Sequence, residues 1–287
     1  MKKLIYLIQF LIVYFLFIIF KLVGYKNASN LGFLIGKYLG PFFKSKKKIN
    51  ETISKVNIIK ELSNQKKFAS EVLGNYGRIF AEYPFIKNFR NDKLKKYLEV
   101  DGEEYLKEIS KNGKVAVFVS GHFNNFELMA MQIEKSGVDL AAIYRPLNNP
   151  FLNKIMEKIR LNFICRKQIK KGKSGTRELL ECIKNGSSVA LMIDQRVTEG
   201  SKINFFGDEA TTTTIPAQLI KKYGCQLVPV YIERFNNFHF KIYISKPINI
   251  DKKKSLDEIT IFLNSVLEKM ILKNPTQWIW THDRWKK

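Results

Sequence analysis

Residues 117–127 read Val117-Phe118-Val119-Ser120-Gly121-His122-Phe123-Asn124-Asn125-Phe126-Glu127. The apolar start, with β-branched Val117 and Val119, has the character of a buried strand. Gly121 interrupts the run and permits a tight turn. Asn124 or Asn125 can cap a helix that opens just before Glu127. The turn carries one of only three histidines in the chain. A carboxylate placed across such a junction can hold one imidazole nitrogen and support positive charge on the ring. The other nitrogen is then free to accept a proton. An ordinary turn histidine fits the same residues equally well.

The alternation continues on the C-terminal side. Strand patterns occupy 114–119, 138–144, 188–193, 226–233 and 238–245, and helical patterns 126–135, 150–160, 176–184, 216–223 and 256–272. This order predicts an α/β fold with a mostly parallel sheet flanked by helices, preceded by a helical stretch over 51–89. Functional side chains in such sheets gather where strands end and helices begin. Asp194 follows an apolar strand and belongs at that end, either shaping the site or capping a loop.

At the N-terminus, residues 4–20 are apolar apart from Gln9, with Lys2 and Lys3 before them and Lys21 after. As a helix the run rises about 25 Å, and a snorkelling Lys21 with Leu22 and Val23 brings it to a hydrocarbon core's thickness. The run is long for a signal peptide, and Gly24-Tyr25-Lys26 is a poor cleavage site, so a retained membrane anchor is expected. The larger basic count follows the run, in Lys21, Lys26, Lys37, Lys44, Lys46, Lys47 and Lys48, which predicts a cytoplasmic body. Gly32, Gly36 and Gly40 are spaced for close helix approach or for surface packing. Three regions are expected: an anchor at 1–25 that carries none of the chemistry, a helical membrane-proximal part at 26–100, and an α/β domain at 101–287.

Lys and Arg number 49 against 26 Asp and Glu, a net charge of +23. A Lys-, Ile- and Asn-rich composition accounts for part of it. The remainder points to polyanionic partners: nucleic acid, an anionic membrane surface or acidic substrates. No zinc finger, Gly-rich phosphate loop or helix-turn-helix pattern is visible, so no nucleic acid is expected. Cys165, Cys182 and Cys225 are far apart and form no metal or redox motif. No cofactor, metal or Gly-x-Ser-x-Gly nucleophile is expected.

The stretch Gly121-His122-Phe123-Asn124-Asn125-Phe126-Glu127 resembles the Gly-His-x-x-Asn-x-Glu motif of the lipid A lauroyl/myristoyl acyltransferase family. Four further blocks agree in order: Tyr144-Arg145-Pro146; Asp194-Gln195 with Phe205-Phe206-Gly207; Val228-Pro229-Val230; and the tail from Pro275 through Trp278, Trp280, His282 and Arg284 to Trp285. The resemblance covers about 1–287. It implies a glycerolipid acyltransferase-like fold and acyl transfer to a lipid hydroxyl. The donor would be a thioester of acyl carrier protein or acyl-CoA, and the acceptor an anionic glycolipid. On that basis His122 and Glu127 would be the catalytic pair, with Asn125, Arg145, Arg166 and Asp194 on the substrate side. Arg145 and Arg166 suit phosphate because guanidinium binds it with paired hydrogen bonds. Other lipid acceptors, thioester hydrolysis, and a noncatalytic polyanion-binding protein are the alternatives. Trp278, Trp280 and Trp285 fit either a membrane interface or packing onto the domain, and Phe205 and Phe206 an acyl groove or the core.

Overall fold

The computed structural model describes residues 1–57 and 65–286. Positions 58–64 of the expected helical stretch, and Lys287, lie outside the described residues. In chain order the elements are α1 (Lys2–Val23), α2 (Tyr25–Phe43), α3 (Lys46–Ser54), α4 (Gln65–Glu82), α5 (Ile86–Arg90), β1 (Leu98–Asp101), α6 (Glu103–Asn112), β2 (Ala116–Ser120), α7 (Glu127–Lys135), β3 (Leu140–Tyr144), α8 (Pro150–Phe163), β4 (Lys167–Lys170), α9 (Lys173–Lys184), β5 (Ser188–Met192), β6 (Ser201–Phe205), β7 (Asp208–Thr212), α10 (Ile215–Tyr223), β8 (Gln226–Phe235), β9 (His239–Ile244) and α11 (Leu256–Lys273).

Seven strands form one sheet in the order β1-β9-β8-β2-β5-β3-β4. Every neighbouring pair is parallel except β8 and β9. The central strand β2 is buried at every position, as a strand covered on both faces must be. The expected α/β fold with a mostly parallel sheet is therefore the observed one. Sequence reading did not mark β1, β4 or the β6–β7 hairpin. Leu98-Glu99-Val100-Asp101 and Lys167-Gln168-Ile169-Lys170 carry charges because they are the sheet's two edges, where charge blocks edge-to-edge association. The domain line drawn at 101 falls at the end of β1, so the sheet begins at Leu98.

The helical layer is joined to the sheet rather than hung from it. On α2, Gly32 and Gly36 lie against Gly77 of α4. A Cβ on Gly77 would stand 1.9 Å from the Gly32 carbonyl oxygen, and one on Gly36 2.2 Å from that of Leu73. The glycine spacing thus marks a close helix crossing, in which missing side chains let two backbones touch. At the end of α4, Glu82 is fully buried and meets both terminal nitrogens of Arg234 on β8, at 2.5 and 2.9 Å. Ser29 of α2 donates to the same carboxylate at 2.7 Å.

Helix α1 is docked along its length. Asn149 donates to the Tyr6 carbonyl at 2.8 Å, Phe17 packs on Phe80, and Phe20 is fully buried. Its opposite face exposes Leu4, Ile8, Leu11, Phe15 and Leu22. Twenty-two residues reach about 33 Å, so α1 is long and apolar enough to cross a membrane.

Replacing Gly77 with Leu should separate α2 from α4, because the nearest atoms are backbone and cannot yield. Thermal unfolding followed by circular dichroism should register a loss of about 3 kcal/mol or more, the upper range for overpacking. A Gly77→Leu protein that melts with the parent would contradict this crossing.

Candidate active site

The site is assembled by register. Strands β2 and β5 pair in parallel with Ser120 opposite Met192, and the ladder runs one step further through the Ile193 amide to the Ser120 carbonyl. Continuing both chains by two residues brings His122 and Asp194 to the same level at the carboxyl end of the sheet. His122 Nδ1 lies 2.8 Å from Asp194 Oδ1. The His122 backbone N–H and the Trp278 indole N–H donate to Oδ2 at 2.6 and 2.9 Å. Gly121 has a role beyond the turn, since a Cβ there would stand 3.1 Å from Asp194 Oδ2 and press on the carboxylate.

Asp194 is fully buried. Burial alone would raise its pKa, but the His122 ring, the His122 N–H and the indole outweigh it and hold the carboxyl below its ordinary value. Burial likewise disfavours imidazolium, and the Asp194 charge and hydrogen bond outweigh that, placing the His122 pKa above 6.5. With Nδ1 on the carboxylate, Nε2 is left as the basic nitrogen.

The ring borders a cavity of about 370 Å³, within the range of small-molecule sites. Three helices wall it, each with residues at i, i+3 and i+4. Helix α1 gives Phe10, Val13, Tyr14 and Phe17; α4 gives Tyr76, Ile79 and Phe80; α8 gives Leu152, Ile155 and Met156. The segment expected at 1–25 to anchor the protein without carrying the chemistry thus also borders the cavity, one face of α1 being a wall of it.

The structure redistributes the expected residues. Glu127 lines the cavity but makes no recorded bond to His122. Its Oε1 accepts from Arg160 Nε and NH2 of α8 at 2.9 and 2.6 Å. As the first residue of α7, it faces the neighbouring helix, while the imidazole is taken by Asp194. Asn125 caps no helix: it is buried and its amide reaches Glu82 Oε2 at 3.4 Å. Asn124, in the left-handed region at φ 43, donates to Gln277 Oε1. Arg145 is exposed just past β3, at the same end of the sheet as His122. Arg166 precedes β4 and lies at the opposite end. Its side chain is 82% exposed, 3.2 Å from Glu134, and it does not reach the cavity. Trp278 and Trp280 are fully buried and Trp285 nearly so, as is Phe205, so tail and hairpin are packed as core. Sequence reading missed Arg160, for which spacing gave no signal, and the Trp278–Asp194 contact, which joins residues 84 apart.

The pair has a definite pH window. His122, with its pKa raised, contributes stability fully present below 6.5 and lost as pH rises through its folded value. Asp194, with its pKa lowered from 3.8, contributes stability present above that value and lost as pH falls through its folded one. Titration of the imidazole by NMR should give a midpoint above 6.5 in the parent. In Asp194→Asn it should fall by about one unit or more. An unmoved midpoint would show that Asp194 does not carry the shift.

The model of the family described as bacterial lipid A biosynthesis acyltransferase matches residues 1–287. The lipid A biosynthesis palmitoleoyltransferase of Escherichia coli K12 is 23% identical over 89% of this chain and 84% of its own. A lipid A biosynthesis acyltransferase of Haemophilus influenzae Rd is 25% identical over 75% and 69%, and the E. coli lauroyltransferase 24% identical over 68% and 63%. Among solved structures, the 1-acyl-sn-glycerophosphate acyltransferase PlsC of Thermotoga maritima aligns over 88% of this chain and 98% of its own, with a TM-score of 0.42 and 15% identity. With that family's model matched along its whole length, the chain belongs to the bacterial lipid A biosynthesis acyltransferases.

Proposed function

We propose that this acyltransferase moves a fatty acyl group from an acyl thioester to a hydroxyl of a lipid A precursor, with His122 as general base and Asp194 as the carboxylate that orients it. The observation that carries the reading is a carboxylate-held imidazole bordering an apolar cavity. Asp194 keeps the proton on Nδ1, as the carboxylate does in serine hydrolase triads. Nε2 removes the acceptor hydroxyl's proton as its oxygen attacks the thioester carbonyl carbon. The tetrahedral intermediate then collapses, the carbon–sulfur bond breaks, and the leaving thiolate takes the proton back from the imidazolium. General-base assistance of this kind contributes roughly 10²–10⁴ in rate. The acyl chain occupies the cavity between α1, α4 and α8. Glu127 and Arg160 form a paired wall beside the ring, and Asn125 ties the His122 turn to Glu82.

The exposed outer face of α1 beds in the inner membrane, with the catalytic domain on the cytoplasmic side. Lys44, Lys47 and Lys48, all exposed, meet anionic lipid there. Acyl carrier protein or acyl-CoA supplies the thioester. Of the two arginines expected to bind acceptor phosphate, only Arg145 keeps that role. It stands two residues before Leu147, which lines the cavity and is 40% exposed.

Two experiments test this. His122→Ala in membranes or detergent should lose acyl transfer by about 10²-fold or more with an unchanged far-ultraviolet spectrum. Retained transfer would remove the assignment, and release of free fatty acid in place of acylated lipid would favour hydrolysis. Arg145→Ala should raise KM for a phosphorylated acceptor severalfold, and Arg166→Ala should not. The reverse result would place the phosphate at the other end of the sheet.

A further inference from the structure

The C-terminal segment 275–286 contacts both turns that make up the site. Asn124, two residues after His122, donates through its backbone N–H to the Gln277 carbonyl at 3.1 Å and through its amide to Gln277 Oε1 at 2.5 Å. The next residue, Trp278, donates its indole N–H to Asp194 Oδ2 at 2.9 Å. Arg196, two residues after Asp194, donates its N–H to His282 Nε2 at 3.2 Å. Successive residues of the tail thus hold the turn after β2 and the turn after β5, whose relative position sets the His122–Asp194 distance.

We propose that Trp278 is a positioning residue of the acyl-transfer site, its indole fixing the rotamer of Asp194 in which Oδ1 meets the imidazole and Oδ2 faces away from it. This rests on His122 being the general base. Indole suits the task because it carries one donor and no acceptor. It can satisfy a carboxylate oxygen but cannot take the His122 Nδ1 proton or displace the ring. Trp278 is fully buried and held edge-on between Trp280, at 4.7 Å between ring centroids, and Phe205, at 6.1 Å. Its N–H therefore has a fixed direction. Without it, Oδ2 keeps only the His122 backbone N–H among its recorded donors, and the carboxylate gains freedom to turn.

Trp280 supplies the matched control. It is as buried as Trp278, but its indole N–H donates to the Pro275 carbonyl at 2.6 Å, within the tail itself. Trp278→Phe and Trp280→Phe each remove one buried indole bond and similar volume, and both should lower the melting temperature. Only Trp278→Phe should lower kcat, by roughly 10- to 100-fold with KM little changed. The pH profile should separate the two further. Other charged or ionisable groups around the pair are Glu127, Arg160, His282, Arg284 and Tyr76, and neither variant alters them. Losing the indole frees the carboxylate that raises the ring's basicity, so the acid limb of kcat should move to lower pH in Trp278→Phe and stay in place in Trp280→Phe. Equal kcat and equal limbs in the two variants would overturn the proposal.

A measurement on the unaltered protein covers the case in which Trp278→Phe does not fold. With nitrogen-15 in the indoles, the Trp278 N–H resonance should move with the His122 titration, and that of Trp280 should not. A Trp278 signal that ignores that titration also overturns the proposal. An active His122→Ala enzyme would remove the general-base reading itself. An inert His122→Ala beside a fully active Trp278→Phe would remove only the role given to Trp278.

Discussion

The parallel register of β2 against β5 is the constraint on which the site depends. Ser120 and Met192 are partners 72 positions apart, and His122 and Asp194 keep the same offset. A slip of two residues would move the carboxylate about 7 Å along the strand, and a slip of one would turn it to the other face. Neither slip is accessible while Val117, Phe118, Val119, Val189 and Leu191 remain buried. The core that stabilises the sheet therefore also sets the distance between His122 and Asp194. Burying Asp194 carries a desolvation cost, which three donors to its two oxygens offset.

A second buried pair ties the helical layer to that register. Removing either Glu82 or Arg234 would strand a charge in the interior, a loss of roughly 3–5 kcal/mol where such pairs are broken. Glu82 also receives Asn125, next to the His122 turn, and Ser29 of α2. The motif residue Asn125 thus reports to the interface between the helices and the sheet. This shared polar core packs the helical layer onto the sheet.

What the sequence disclosed, it disclosed locally. The strand, turn and helix around His122 follow from neighbouring residues, and the turn falls where those residues place it. The partner of the ring does not, because pairing across parallel strands joins positions with no sequence proximity, and the nearer Glu127 is engaged by Arg160. Strand direction explains the two arginines: Arg145 follows a strand and Arg166 precedes one, which puts them at opposite ends of the sheet. In α1 an unbroken apolar run conceals which face meets protein. The signal was present in Phe10, Tyr14 and Phe17, aromatic at i, i+4 and i+7, on the side that lines the cavity.

On the proposed mechanism, the charges beside the cavity let an apolar acyl chain and an ionic reaction share one space. Arg160 and Glu127 compensate each other, so in the base form that the proposed reaction uses, the ionised Asp194 beside the ring carries the local excess of one negative charge. In the proposed reaction, when His122 takes the acceptor's proton, that charge becomes part of a neutral imidazolium–carboxylate pair and an equal charge appears on the attacking oxygen. The site's net charge is unchanged, so surrounding groups need little reorganisation, the condition under which fixed dipoles and charges assist most. Burial and Asp194 act on the ring in opposite directions. Burial alone would make His122 a weaker base, and the Asp194 charge and hydrogen bond make it a stronger one. The Asp194 contribution prevails over burial, so Nε2 is a stronger base than a free imidazole, as the proposed general-base role asks.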